Sequence, residues 1–127
     1  MPAIKVLHID DKPEMTDLIK LILRKAGYEV MGALDGHAGL KMIEEFKPDV
    51  VILDLMMPDV DGWEVFQAIR ANPRTATTPV IVLTARAQSI DKVLGLHVAR
   101  VDDYITKPFT PAQILESVTN VLSARKH

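Results

Sequence analysis

The hydrophobic pattern of this chain changes period repeatedly, and that alternation limits the folds it can adopt. Short runs of nearly continuous apolar and β-branched residues are typical of strands that are buried on both faces. The predicted strands are Ile4–Ile9, Tyr28–Leu34, Val50–Leu53, Val80–Leu83 and Val101–Thr106. The second and the last of these strands are weaker and more polar than the others.

Between the strands, apolar residues recur three and four positions apart, as they do on one face of a helix. These helical patterns cover Met15–Ala26, Gly39–Phe46, Val65–Ile69 and Ile114–Leu122. Right-handed crossovers place helices on both faces of a sheet whose strands alternate with helices. The sequence therefore predicts an α/β fold of five βα units around a mainly parallel sheet.

Length and composition exclude several classes of protein. The chain has 127 residues, the size of one ordinary domain, so we expect residues 1–127 to form a single domain. It contains no cysteine, which excludes disulfide and thiolate chemistry. No basic leader precedes an apolar stretch, and no apolar run reaches the roughly 18 residues of a membrane span. We therefore expect a soluble, cytoplasmic protein that makes no use of a membrane.

The charge is nearly balanced, with 15 lysine and arginine residues against 17 aspartate and glutamate residues. The basic residues are scattered along the chain instead of being clustered. DNA-binding and RNA-binding surfaces depend on concentrated positive charge. The composition therefore predicts no direct nucleic-acid binding by these residues.

Polar side chains follow four of the predicted strands at the point where each strand ends. These residues are Asp10 with Asp11, Asp54, Thr84 and Lys107. The carboxyl ends of parallel strands meet at one edge of a sheet, and open α/β sheets bind ligands in the crevice at that edge. Three carboxylates, a hydroxyl and an ammonium group together predict a pocket for a metal ion and a phosphate.

Each of these residues also has an ordinary structural explanation. Asp11 could cap the first helix, since Glu14 follows three residues later as in a capping box. Asp54 could form a turn after its strand, Lys107 could be a solvated surface charge, and Thr84 could simply favour β structure. The coincidence of all of them at four strand ends favours a shared site.

Four stretches of the chain resemble the receiver domain of two-component response regulators. They are Ile9–Asp11, Leu53–Gly62, Leu83–Ala85 and Asp103–Phe109, in that order and with matching spacing. The resemblance implies a flavodoxin-like (βα)5 doubly wound sandwich, a parallel sheet in the order 2-1-3-4-5 flanked by five helices. It also implies that a sensor histidine kinase, or a histidine phosphotransfer protein, passes a phosphoryl group to an aspartate. By position, that phosphoacceptor is Asp54.

The resemblance implies Mg²⁺ as the cofactor, and the acidic residues suit it. Magnesium prefers an octahedral shell of oxygens and keeps several waters, so one or two carboxylates plus a phosphate oxygen hold it well. Asp11 and Asp54 are the expected direct ligands, and Asp10 would orient a metal-bound water. The backbone carbonyl of Met56 would supply a further oxygen, as the equivalent position does in the family.

The transferred phosphoryl group also needs positive charge and a hydrogen-bond donor. Phosphoryl transfer is catalysed mostly by positioning and by stabilising charge on the equatorial oxygens, which suits Lys107 and Thr84. Ala85 is small and would leave the phosphoryl pocket open. The peptide bond between Lys107 and Pro108 is commonly cis in the family, which makes Pro108 a cis-proline candidate.

The family also has a switch, which the resemblance places on Thr84 and Tyr104. Phosphorylation would draw the Thr84 hydroxyl inward and let the Tyr104 ring turn, which would repack the face of the fourth helix, fifth strand and fifth helix. This is the α4-β5-α5 face in the family's notation, and we expect a downstream effector, or a second copy in a homodimer, to bind there. In the family, the positions that Met56 and Arg86 occupy here tune the phosphoryl lifetime.

The sequence departs from the family pattern at the start of the fifth predicted strand, and it leaves three alternative functions open. Arg100 and Val101 stand where the family usually has glycine and alanine. The chain could be a degenerate receiver that serves as a phosphorylation-independent docking module. It could also be an aspartyl-phosphate phosphatase of the haloacid dehalogenase type, although Met56 occupies the place of that class's second aspartate. A flavodoxin-like cofactor binder is the weakest alternative, since no phosphate-binding loop follows the first strand.

Overall fold

A computed structural model describes residues 3–57, 62–84 and 101–125. Five strands, numbered in chain order, form one sheet in the order 2-1-3-4-5, and every neighbouring pair is parallel. The strands are β1 (Lys5–Ile9), β2 (Glu29–Ala33), β3 (Val50–Asp54), β4 (Val80–Thr84) and β5 (Asp103–Thr106). The predicted fold class and strand order are confirmed.

Four helices lie within the described residues. They are α1 (Pro13–Arg24), α2 (Gly36–Phe46), α3 (Gly62–Ala71) and the C-terminal helix (Pro111–Arg125). The predicted fourth helix lies in residues 85–100, outside the described part of the chain. None of the described helices is long and apolar enough to cross a membrane.

The starts of these helices follow from local chemistry. The Asp35 side chain accepts a hydrogen bond from the Ala38 amide at 2.7 Å and caps α2. Thr110 and Gln113 form a reciprocal capping box at the C-terminal helix, with bonds of 2.7 and 3.2 Å. The N-cap of α1 is Lys12, and no side chain caps that helix. The capping explanation for Asp11 is therefore wrong.

The sheet divides the hydrophobic core into two layers. One layer lies between the sheet and the pair formed by α1 and the C-terminal helix, and the other lies between the sheet and the pair formed by α2 and α3. Every residue of β3 and β4 is buried, as expected for central strands covered on both faces. These two strands give the site residues at their ends a rigid support.

The strand register sets the position of the candidate site. Ile9 pairs with Leu53, Asp54 pairs with Leu83, and Thr84 pairs with Thr106. The residues that follow or end these strands therefore lie side by side at the carboxyl edge. At the same edge α3 begins close against β3, because a Cβ atom on Gly62 would lie 2.6 Å from Leu55 Cα. Only glycine allows this approach.

Candidate functional site

The centre of the site is a contact between Asp54 and Lys107. Asp54 ends β3 and its side chain is fully buried, and Lys107 directly follows β5. The Lys107 ammonium nitrogen Nζ lies 2.5 Å from Asp54 Oδ2. The Met56 amide donates a hydrogen bond to the other carboxylate oxygen, Oδ1, at 2.7 Å. Both oxygens of Asp54 therefore face donors.

Main-chain bonds fix Lys107 beside the end of β4. The Lys107 amide donates to the carbonyl oxygen of Thr84 at 2.7 Å, which extends the pairing of β4 and β5 by one residue. Thr84 itself is buried. The Lys107–Pro108 peptide bond is cis. Thr84, Lys107 and Asp54 are thus joined through neighbouring strand ends.

The surroundings of Asp54 favour its ionised form. Burial alone would raise the pKa of this carboxyl group, but the hydrogen bonds from Lys107 Nζ and the Met56 amide outweigh that effect. The pKa of Asp54 is held below its ordinary value of 3.8. A buried carboxylate that stays charged at neutral pH can act as a nucleophile.

The surroundings of Asp10 favour its neutral form instead. Its side chain is fully buried, and burial together with the neighbouring Asp54 carboxylate raises its pKa from 3.8 to about 7. The Lys12 amide donates to Oδ1 of Asp10 at 3.0 Å and opposes part of that rise. Without a cation, the site therefore carries one carboxylate that is costly to ionise.

Carboxylate oxygens without hydrogen-bond partners lie at this edge. Among the described residues, Asp10 Oδ2 and Asp11 Oδ1 are buried and accept no hydrogen bond. Such hard oxygen atoms fit a small divalent cation such as Mg²⁺, and Asp10 neighbours the buried carboxylate of Asp54. No group of three or more His, Cys, Asp or Glu side chains in the described ranges is spaced to ligate a metal. A magnesium ion here would thus need main-chain, water or phosphate oxygens as further ligands.

One polar residue beneath the site is not among those predicted from the sequence. His8 is the fourth of the five residues of β1 and is completely buried. Its Nδ1 atom is 2.9 Å from the Thr16 hydroxyl oxygen of α1, and its Nε2 atom is 3.5 Å from Asp10 Oδ2. Burial lowers the pKa of His8 from 6.5 to about 4. A histidine inside an otherwise apolar strand was the available sequence signal.

The other predicted residues are more exposed or lie outside the described residues. The side chains of Met56 and Tyr104 are 50% and 46% exposed. Pro108 is exposed, and Val101 packs at the margin of the core layer on the α2 and α3 side. Ala85, Arg86 and Arg100 lie in the range 85–100, outside the described part of the chain.

A doubly wound parallel sheet with clustered acids and a lysine at its carboxyl edge defines a class of phosphoryl-handling signalling domains. The sequence matches the response regulator receiver domain family over residues 6–119. The chain belongs to this family.

Known relatives agree with this assignment. The chain is 43% identical over 118 residues to the DNA-binding dual master transcriptional regulator RpaA of Synechocystis, a match that covers 93% of this chain and 48% of RpaA. It thus spans about half the length of this curated relative.

Two solved structures show the same fold. The chemotaxis response regulator CheY4 of Vibrio cholerae has a TM-score of 0.85 and 31% identity, with coverage of 94% of this chain and 99% of that one. A structure described as a response regulator from Chloroflexus aurantiacus has a TM-score of 0.86 and 34% identity, with coverage of 96% and 99%. The chain is therefore a receiver domain of the two-component response regulator family, consistent with phosphorelay signalling.

Proposed function

We propose that Asp54 accepts a phosphoryl group in a Mg²⁺-dependent reaction and that this modification switches the domain between two states. The observation that carries the proposal is the buried Asp54 carboxylate held against the Lys107 ammonium group at 2.5 Å. An isolated buried pair has little value for stability, because desolvation offsets most of the attraction. Its position at the ligand-binding edge of the sheet supports a chemical role.

The reaction is a transfer between two nucleophiles. A carboxylate oxygen of Asp54 forms a new P–O bond as the donor's bond to phosphorus breaks, a P–N bond in phosphohistidine or a P–O bond in acetyl phosphate. The Lys107 ammonium group is close enough to Asp54 to neutralise charge on the phosphoryl oxygens. Thr84, at the adjacent strand end, supplies a hydroxyl donor for one of those oxygens.

The acidic residues divide the work of holding the cation. Asp11 and Asp54 would ligate Mg²⁺ directly, the Met56 carbonyl would add an oxygen, and Asp10 would hold a bound water. Magnesium supplies positive charge that offsets the repulsion between the carboxylates and an incoming phosphoryl group. The unpartnered oxygens of Asp10 and Asp11 support this arrangement.

The switch works through Thr84 and Tyr104. When the Thr84 hydroxyl binds the phosphoryl group, it leaves space beside β5, and the Tyr104 ring turns into that space. The ring is 46% exposed in the unphosphorylated chain, so it has apolar surface to bury. The phosphoryl group can bias the two states only by its differential contacts with Thr84 and Lys107.

The partners follow from the same chemistry. The donor is a sensor histidine kinase or a histidine phosphotransfer protein, and the reader is an effector, or a second copy of the chain, that binds the face carrying Tyr104. We propose that residues 1–127 act as one receiver domain. RpaA is named as DNA-binding as a whole protein, whereas this chain carries a net charge of −2 and no basic cluster suited to DNA.

Intact mass spectrometry after incubation with acetyl phosphate and Mg²⁺ tests the proposal. We expect the mass of one added phosphoryl group, which is lost again over time and does not form in EDTA or in Asp54→Asn. Rapid release of inorganic phosphate with no retained group would indicate a phosphatase. No phosphorylation by any donor would indicate a docking module and would overturn the proposal.

A further inference from the structure

His8 and Asp10 present two complementary buried atoms to each other. His8 Nε2 and Asp10 Oδ2 lie 3.5 Å apart, and both side chains are 0% exposed. This separation is longer than a good hydrogen bond. Neither atom has a hydrogen-bond partner among the described residues. Since a buried polar atom is costly when unpaired, a small shift of either side chain would satisfy both atoms at once.

The other ring nitrogen determines what Nε2 can do. The Thr16 hydroxyl oxygen is 2.9 Å from Nδ1 of His8, and Thr16 is also buried. If this hydroxyl donates to Nδ1, the neutral ring must carry its proton on Nε2. That proton then points at an acceptor, Asp10 Oδ2. A charged ring would also donate from Nε2, whereas a neutral ring with its proton on Nδ1 would not.

The close approach of Thr16 is built into the sheet. His8 pairs with Gly32 of the edge strand β2 in the parallel register. A Cβ atom on Gly32 would lie 2.5 Å from the Thr16 methyl carbon Cγ2. The missing side chain at position 32 therefore leaves the space in which α1 brings Thr16 to the His8 ring.

We propose that His8 is a positioning residue of the acidic site, in which Nε2–H holds Oδ2 of Asp10 and the Thr16 hydroxyl keeps the ring in that tautomer. The inference rests on the proposed Mg²⁺ site. The Lys12 amide donates to the other oxygen of Asp10, Oδ1, at 3.0 Å. Contacts on both oxygens would fix the orientation in which this carboxylate meets the cation.

A Mg²⁺ titration of three variants tests this role. Trp63 is the single tryptophan and follows Gly62, which packs against Asp54 and Leu55, so its fluorescence can report binding. His8→Leu keeps the volume but removes the donor, His8→Gln keeps an N–H near the place of Nε2, and Thr16→Val removes only the hydroxyl. We expect His8→Leu to weaken Mg²⁺ binding about tenfold, Thr16→Val to weaken it less, and His8→Gln to stay within about threefold of wild type.

Two further readouts separate positioning from packing. In the metal-free protein, His8→Leu and Thr16→Val should lower the melting temperature by similar amounts, because each leaves the other partner of the His8–Thr16 contact unpaired. In wild type, ¹⁵N NMR should show the Nε2–H tautomer for the resonance that disappears in His8→Gln. A packing residue would change the melting temperature without this selective loss of Mg²⁺ affinity.

The inference would be overturned by wild-type Mg²⁺ affinity in His8→Leu or by equal losses of affinity in His8→Leu and His8→Gln. An Nδ1–H tautomer of His8 in wild type would also overturn it. If His8→Leu does not fold, Thr16→Val decides on the same titration, since an unchanged affinity there also contradicts the role. These results would leave the proposed function intact where wild type still binds Mg²⁺ and is phosphorylated. Failure of wild type to bind Mg²⁺ would overturn both.

Discussion

The Lys107 ammonium group lies 2.5 Å from Oδ2 of Asp54, although 53 residues separate them in the chain. The contact exists because β3 and β5 end at the same edge of one sheet. Asp54 is the last residue of β3, and Lys107 directly follows β5. Lys107 keeps 18% of its side chain exposed, whereas Asp54 has none. The lysine can therefore move toward an incoming phosphoryl group while the aspartate stays fixed.

Lys107→Ala should destabilise the metal-free protein by about 2–4 kcal/mol, because it leaves the Asp54 carboxylate buried without its counter-charge. Added Mg²⁺ should restore part of that loss by supplying positive charge at the same place. Urea denaturation with and without Mg²⁺ measures both effects. Lys41→Ala, on the exposed side of α2, is the control and should change stability by no more than about 0.5 kcal/mol. Equal effects of the two substitutions would argue against the pair.

Asp10→Asn should stabilise the metal-free protein, and the gain should grow with pH. Since the folded-state pKa of Asp10 is raised to about 7, its stabilising contribution is complete below pH 4 and is lost as the pH rises toward 7. Asparagine avoids this loss, so we expect a gain of about 1–3 kcal/mol at pH 8 and a much smaller one at pH 4. Urea denaturation of the protein in EDTA at several pH values measures the gain.

The quantity to compare across pH values is the free energy of unfolding of Asp10→Asn minus that of wild type. The pKa of His8 is lowered to about 4, so its contribution is present above pH 6.5 and is lost as the pH falls toward 4. Between about pH 4 and pH 7, a rise in pH therefore lowers the contribution of Asp10 to wild-type stability and raises that of His8. A gain from Asp10→Asn that does not vary with pH would contradict the burial argument for Asp10.

Met56→Asn should shorten the lifetime of phosphorylated Asp54 by roughly threefold or more, because a polar side chain admits water that methionine excludes. The Met56 side chain is half exposed and lies two residues after Asp54. Arg86→Ala should act in the same direction. Decay of the phosphorylated protein, followed by intact mass, gives the rates. Met31→Asn, at an exposed methionine of the edge strand β2, should leave the lifetime unchanged.

Arg70 and Arg74 both pair with acids, but their contributions to stability should differ. Arg70 stacks 4.9 Å from the Phe66 ring centre, donates to the Thr78 carbonyl at 2.6 Å and binds Asp102 at 2.8 Å. The Arg74 guanidinium nitrogen Nη1 lies 3.5 Å from Glu44 Oε1, and 83% of the Arg74 side chain is exposed. We expect Arg70→Ala to cost about 1–3 kcal/mol and Arg74→Ala no more than about 0.5 kcal/mol in urea denaturation.

Arg70→Lys separates the two kinds of contact that Arg70 makes. Lysine keeps the charge but loses the planar group that reaches Thr78 and Asp102 while stacking on the ring. We therefore expect Arg70→Lys to recover less than half of the loss. Full recovery would mean that charge alone matters here.

The sequence was sufficient to predict the fold and the proximity of Lys107 to Asp54, because both depend on patterns that repeat along the chain. Buried strands leave apolar runs, and parallel topology then brings the residues after those runs to one edge. Lys107 and Asp54 could be paired in this way without any knowledge of side-chain conformation. The strand order came from the family resemblance.

The buried contacts of His8 could not be predicted, because they depend on a close approach between elements. Only the coordinates show that Gly32 leaves room for Thr16, and that Thr16 then reaches the His8 ring. The position of the α1 N-cap at Lys12, which makes no side-chain capping bond, likewise depends on where the chain turns after β1. Such features are set by three-dimensional packing and leave no periodic signal.

Chemical mapping of the phosphorylated residue tests the central claim most directly. Borohydride reduces an aspartyl phosphate to homoserine, so protein treated with acetyl phosphate and Mg²⁺ can be reduced, digested and sequenced by mass spectrometry. We predict homoserine at position 54 and unmodified aspartate at positions 10 and 11. Homoserine at Asp10 or Asp11 with Asp54 unchanged would contradict the assignment of Asp54 as the phosphoacceptor.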